Sequence, residues 1–226
     1  MIVIGLTGSI GMGKSTTAKL FRRLGVPTHD ADAAVHHLMA RGGKAVKAVD
    51  AAFPGTVVDG AVDRKTLGNR VFGDPDALKR LERIVHPLVH EETSRFLAKH
   101  RRACRPFVVL DVPLLLEGNG HRRCDVIVVV SAPRFLQRQR VLARPGMTVE
   151  RLDSILEKQM PDREKRRFAD AVVPTGLGQA WAMRRLERLI KDLRRYGVKS
   201  CVKSSSIRRR QALIRRRATR WSRSAA

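Results

Sequence analysis

Apolar positions along this chain fall into two kinds of run. Met1 to Leu6 (MIVIGL), Phe107 to Val112 (FVVLDV) and Asp125 to Ser131 (DVIVVVS) are short, rich in β-branched residues and without clean polar alternation. Such runs predict strands buried on both faces. Ala171 to Pro174 (AVVP) predicts a short last strand, and Val26-Pro27-Thr28 marks the end of a second one. Between them the spacing changes. Thr17, Leu20, Phe21 and Leu24 stand at i, i+3, i+4 and i+7, and Leu186, Leu189, Ile190 and Leu193 repeat the pattern late in the chain. Both patterns predict amphipathic helices. Residues from about 33 to 100 are helical by pattern and read as an insertion between early strands. Strands alternating with helices predict a parallel sheet covered on both sides.

Composition changes this picture in three places. The chain has 226 residues, 43% hydrophobic and only 4% aromatic, enough for one domain with an aliphatic core. No apolar run approaches the roughly 18 residues that span a bilayer, and the N-terminus lacks a basic stretch before its apolar run. A cytoplasmic protein with no membrane partner is expected. Cys104, Cys124 and Cys201 are scattered and form no CxxC, which argues against a zinc site or disulfide framework. The formal net charge is +25, but ten of the Lys and Arg residues, and no acid, fall in 197–226. That segment is too polar to bury a core and is expected to be disordered, or helical on binding. The remainder is still basic, as suits a protein handling polyanions. Charge alone does not separate a nucleotide enzyme from a nucleic-acid binder.

The strongest chemical signal is Gly8-Ser9-Ile10-Gly11-Met12-Gly13-Lys14-Ser15, followed by Thr16. It fits GxxxxGK[ST] with a strand before it and a helix after it, the context this phosphate-binding loop requires. Glycines let the backbone turn its N–H groups onto phosphate oxygens. The helix N-terminus adds unpaired donors and partial positive charge. Lys14 can reach the β- and γ-phosphates of ATP, and the Ser15 hydroxyl can hold Mg²⁺. The bland alternative is a glycine-rich turn that merely starts a helix. No NKxD-type guanine-reading segment is present.

Other residues carry two readings each. One of Asp30 and Asp32 could accept a proton from an acceptor hydroxyl at a strand's carboxyl edge, or either could simply cap the next helix. Asp111 ends a strand where a carboxylate could orient Mg²⁺, or could brace the phosphate loop's backbone. Arg140 and Arg144 are spaced i, i+4 on the helix after Pro133. Near phosphates they would stabilise developing charge, and otherwise they form a solvated basic face. Arg163, Lys165, Arg166 and Arg167 make a basic run too generic to assign singly. His86-Pro87 interrupts a helical pattern, so His86 either reaches a phosphate or caps a broken helix. His29, His36 and His37 read as structural or surface residues.

Taken together, Gly5 to Thr16, Asp30-Ala31-Asp32, His86-Pro87-Leu88, Val112 to Glu117 (VPLLLE), the Arg140/Arg144 pair and Gln159 to Asp170 (QMPDREKRRFAD) resemble the dephospho-coenzyme A kinase family over roughly residues 1–195. Ser9 and Met12 depart from common family choices, but at positions where only backbone donors matter. The resemblance implies a P-loop kinase fold: a five-stranded parallel sheet flanked by helices, a helical acceptor-side domain at about 33–100 and a small lid at about 140–168, all within 1–196. It implies transfer of a phosphoryl group from ATP, with Mg²⁺, to the ribose 3′-hydroxyl of dephospho-CoA. On that basis Asp32 is the general base, and Lys14 and Arg140 bind the migrating phosphoryl with Arg144 assisting. Gly8, Gly11, Met12, Gly13, Lys14, Ser15 and Thr16 hold ATP. Asp30, His86 and Leu114 touch the acceptor, and Ser15 and Asp111 hold the metal. A monomer or weak oligomer is expected, with nucleic acid a partner only through 197–226. The competing functions are another small-molecule P-loop kinase and a nucleic-acid-binding P-loop protein.

Overall fold

The computed structural model describes residues 1–118 and 120–197. The expectation for the basic tail therefore lies, beyond Gly197, outside the described residues. Two compact units are present: Met1–Thr28 with the described residues from Pro106 onward, and His29–Arg105.

The first unit is built on a five-stranded sheet in the order β2-β5-β1-β6-β7. The strands of the sheet are β1 (Ile2–Thr7), β5 (Phe107–Asp111), β6 (Val126–Ser131) and β7 (Ala171–Pro174), with β2 (Thr28–Asp30) at its edge starting on the last residue before the second unit. β1 pairs in parallel with β5 on one side and β6 on the other, and β6 pairs in parallel with β7. Every residue of β5 and β6 is buried, which explains their unbroken apolar runs. In β6, Val126, Val128 and Val130 join one apolar cluster while Ile127 and Val129 join another. The first cluster takes in Phe21 of α1 (Lys14–Arg23) and Leu186 and Leu193 of α9 (Gln179–Tyr196). The second takes in Leu115, Leu116 and Met160. Helices α6 (Arg134–Leu142), α7 (Val149–Lys158) and α8 (Asp162–Phe168) lie between β6 and β7 in the chain.

In its register β1 sets Leu6 beside Asp111 and Thr7 beside Val129. The phosphate loop therefore leaves the sheet at the carboxyl end of its central strand, where open α/β sheets bind ligands.

The second unit has its own core of Leu38, Met39, Val49, Phe53, Leu67 and Val85 among others. It contains α2 (Ala31–Met39), α3 (Val46–Ala52), α4 (Arg64–Val71) and α5 (Pro75–Arg102). A small antiparallel hairpin, β3 (Val57–Val58) with β4 (Ala61–Val62), joins α3 to α4. Helical periodicity hid this hairpin. Its turn is Asp59-Gly60, both at positive φ, the residue pair such tight hairpins favour.

Pro87 does not break its helix, contrary to the reading of His86 as the cap of a broken one. α5 runs unbroken through 28 residues. Pro87 has no N–H for the carbonyl four residues back. The helix survives because Ala77, Val85 and Thr93 are buried on both sides of that point, and tertiary packing outweighs one lost bond. We expect Pro87→Ala to restore the bond and stabilise the protein by up to about 3 kcal/mol, read as a higher Tm. A lower Tm would show that the ring's own packing matters more.

Candidate phosphate-transfer site

Peptide planarity and three side chains shape the phosphate loop. The carbonyl of Ile10 accepts from Gln137 Nε2 at 2.8 Å, that of Gly11 from Arg140 Nη1 at 3.4 Å, and that of Met12 from Thr175 Oγ1 at 2.7 Å. In a planar trans peptide, the N–H of the next residue points opposite to the carbonyl. Holding the Ile10 and Met12 carbonyls outward therefore turns the amides of Gly11 and Gly13 to the other side of the loop. The Met12 amide instead closes a turn onto the Ser9 carbonyl at 3.1 Å. Ile10 is held from its amide side as well, donating to Gln159 Oε1 at 3.0 Å.

Helix α1 follows directly. Its N-cap is Gly13 at φ 86°, a left-handed conformation costly for any residue with a Cβ. Thr17 N–H makes the first helical bond, to the Gly13 carbonyl. The amides of Lys14, Ser15 and Thr16 thus stand at the helix start, where no intrahelical acceptor exists. Gly8 is required for a different reason. A Cβ there would sit 2.3 Å from Val130 Cγ2 and 2.9 Å from its carbonyl oxygen.

Lys14 Nζ meets Asp111 Oδ1 at 2.7 Å, with the two side chains only 15% and 2% exposed. Asp111 thus touches the loop through the lysine side chain, a contact that neither reading of this aspartate anticipated. The hydroxyls of Ser15 and Thr16 lie on exposed residues. Ser15 hydroxyl and Asp111 carboxylate are hard oxygen donors at one end of the loop, the donor type Mg²⁺ prefers.

Arg140 donates to Thr175 Oγ1 at 3.1 Å and to the Thr175 carbonyl at 2.9 Å as well as to Gly11. Thr175 is therefore a bridge: its hydroxyl accepts from the guanidinium and donates to the Met12 carbonyl. Arg144 does not share a helical face with Arg140. α6 ends at Leu142 with Ala143 as its cap, and Arg144 is exposed beyond it. Two small residues of high turn tendency, Pro145 and Gly146, follow and stop the helix. Leu114 is half exposed in the turn after β5.

The acceptor-side candidates Asp30, Asp32 and His86 belong to the second unit. Asp30 caps α2, its Oδ1 accepting from Ala33 N–H at 3.0 Å. Asp32 sits in the first turn of that helix and is exposed. His86 is exposed on α5, its ring stacked 6.4 Å from that of His90. An open hollow beside it is lined by Lys79, Glu82, Arg83, His86 and Pro87.

His29 has a structural role. Thr93 Oγ1 gives its proton to the Val89 carbonyl, so it accepts from His29 Nε2 at 3.1 Å. Phe96 packs against the ring at 5.2 Å. Burial lowers the His29 pKa from its ordinary value, while Glu92 and Asp30 pull the other way.

Sequence reasoning missed several residues here. Met12 is not merely a backbone position: its side chain is buried and its sulfur accepts from Ala132 N–H at 3.1 Å. Gln137 and Thr175 had no signal beyond following a proline or a strand. Within the generic basic run, Lys165 alone is fully buried, while Arg163, Arg166 and Arg167 are exposed. Phe168, three residues on, packs on the same cluster as Met160 and was the available hint.

A phosphate loop at the carboxyl end of a central parallel strand, with its lysine and a strand-end carboxylate in place, defines a P-loop nucleotide-binding fold. Comparison with known proteins narrows this class. The sequence pattern of the family described as dephospho-CoA kinase matches residues 2–177. A dephospho-CoA kinase of Paramagnetospirillum magneticum is 69% identical over 166 residues, covering 74% of this chain and 78% of that one. One from Mesorhizobium japonicum is 59% identical over 194 residues, covering 86% and 98%. Among solved structures, TT1252 of Thermus thermophilus superposes with a TM-score of 0.74 at 38% identity, covering 85% of this chain and 97% of that one. Dephospho-CoA kinase of Campylobacter jejuni shares the fold, with a TM-score of 0.58 at 22% identity over 84% and 96% of the two chains. The chain belongs to the dephospho-CoA kinase family. Neither competing function is favoured by these matches. Among the described residues, no helix is long and apolar enough to cross a membrane.

Two predictions follow from the geometry. Thr175→Val keeps the shape but strips the Met12 carbonyl of its donor and Arg140 of one of its three acceptors. Leaving such groups unpaired costs about 1–2 kcal/mol, so ATP should bind roughly 5- to 30-fold more weakly by calorimetry. Unchanged affinity would mean the loop holds its shape without this support. The second concerns pH. A depressed folded-state pKa means the unfolded chain binds more protons, so His29 withdraws stability as pH falls from about 6.5 toward its folded value. His29→Gln should lose less Tm than the wild type across that window. Parallel Tm profiles would contradict it.

Proposed function

We propose that this chain transfers the γ-phosphoryl group of ATP to the ribose 3′-hydroxyl of dephospho-CoA, giving CoA and ADP. The observation that carries the reading is the phosphate loop with Ile10, Gly11 and Met12 each held by its carbonyl, joined to a family match over most of the chain.

The loop amides of Gly11 and Gly13 and the helix-start amides of Lys14, Ser15 and Thr16 bind the phosphates. They are fixed before ATP arrives, so no reorganisation is required at the moment of transfer. Phosphate oxygens compete with Asp111 for Lys14, whose ammonium then follows the charge on the transferred group. Mg²⁺ would be held by the Ser15 hydroxyl and the Asp111 carboxylate, and would neutralise charge on the phosphates when bound. Arg140 supplies a fixed cation next to Gly11, and Arg144 adds a second on the lid segment at about 140–168.

On the acceptor side, Asp32 is the base, a division of roles supported by Asp30 capping the helix that carries it. Its exposed carboxylate takes the proton of the 3′-hydroxyl as the P–O bond forms. Asp30 holds the helix start that presents it. The basic lining around His86 on α5 suits the acceptor's own phosphates, and Leu114 offers an apolar contact. The segment at about 33–100 serves as the acceptor-side domain. A cytoplasmic location fits a small-molecule kinase of this kind.

ADP release would be followed with dephospho-CoA, adenosine and nucleoside monophosphates offered separately. Turnover should be confined largely to dephospho-CoA, and equal or better use of a monophosphate would sink the assignment. Asp32→Asn should lower kcat by ~10²–10⁴-fold with ATP affinity intact. Asp30→Asn, which retains a good capping oxygen, should change kcat far less. The reverse order would exchange their roles.

A further inference from the structure

Glu117 and Lys165 form an ion pair that packing alone does not explain. Lys165 is 0% exposed and its Nζ lies 2.9 Å from Glu117 Oε1. Yet Glu117 Oε2 and Lys165 Nζ are both buried without an aligned hydrogen bond. A buried ion pair with unsatisfied atoms is a poor source of stability, and replacing one by apolar groups is often neutral or stabilising. Such a pair calls for another reason to exist.

Its connections supply one. Glu117 Oε1 also accepts from Met160 N–H at 2.8 Å. That amide belongs to the peptide joining Gln159 to Met160. Gln159 caps the end of α7 in an extended conformation, and its side chain holds the Ile10 amide. On the far side, α8 is fastened near its start by Ser131 Oγ to Asp162 Oδ2 at 2.8 Å, and Lys165 N–H bonds the Pro161 carbonyl. The ion pair thus fixes the backbone from which Gln159 reaches the phosphate loop.

We propose that Glu117 and Lys165 are positioning residues for ATP binding, acting through Met160 and Gln159 on Ile10. This rests on the reading that the loop binds the triphosphate of ATP. The role requires an acceptor at position 117 for Met160 N–H. The lysine is there to keep that acceptor's buried charge in place.

Two double variants separate position from packing. Glu117→Gln with Lys165→Met removes both charges but keeps an acceptor for Met160. Glu117→Leu with Lys165→Met removes the charges and the acceptor together. Both should match the wild type in Tm within a few degrees. The first should keep the KM for ATP within about threefold. The second should raise it about 5- to 10-fold, with KM for dephospho-CoA unchanged. Gln159→Leu, which leaves the ion pair intact, should reproduce that rise and covers the case in which a double variant does not fold. Wild-type KM for ATP in the acceptor-free double variant or, should that variant not fold, in Gln159→Leu, would overturn the proposal while leaving ATP binding in place. Failure of the wild type itself to bind ATP would instead overturn the phosphate-loop reading, and this inference with it.

Discussion

The outward carbonyls of Ile10, Gly11 and Met12 are the constraint on which the rest of the phosphate site depends. A glycine-rich loop has many conformations, and its entropy opposes any single one. Here Gln137, Arg140 and Thr175 each take one carbonyl. The supports come from α6 and from the residue after β7, far away in the chain. Packing of β6, β7 and α6 therefore decides which way the loop amides face. The sulfur of Met12 on Ala132 N–H and the Gln159 side chain on Ile10 add two further points of attachment. A loop held this way meets an anion with little left to order.

Charge in the site follows the same logic. Lys14 is nearly buried and has Asp111 at 2.7 Å, so its ammonium is compensated on the sheet edge. A phosphate can replace that carboxylate as partner without leaving a bare charge in a low-dielectric place. The register that puts Leu6 beside Asp111 makes this pairing a consequence of sheet geometry. Asp30 shows the complementary economy in the second unit: one aspartate starts α2 and leaves its neighbour's carboxylate exposed.

What could be read from sequence was what local pattern encodes. β5 and β6 were legible because strands buried on both faces need continuous apolar runs, and α1 and α9 because their inner faces repeat at helical spacing. The phosphate loop was legible because its glycines answer to local backbone demands. Thr175 was not legible, since one threonine after a strand looks like any other. Its role exists only through contacts with Met12 and Arg140. Lys165 was masked by three exposed basic neighbours, and only the position of Phe168 on the same face hinted at burial. The helix through Pro87 and the end of α6 before Arg144 were misread for opposite reasons. In one, tertiary packing overrode a local breaker, and in the other a local stop overrode an attractive spacing.

The most direct measurement is the response of individual loop amides to nucleotide, followed by ¹H–¹⁵N NMR as ADP is added. Amides already aimed at the phosphate position predict large downfield shifts at Gly11, Gly13 and Lys14, with little change in the side-chain amide signals of Gln137 and Gln159. If those three backbone amides stayed in place while the largest shifts fell elsewhere, the loop would not be the phosphate cradle described.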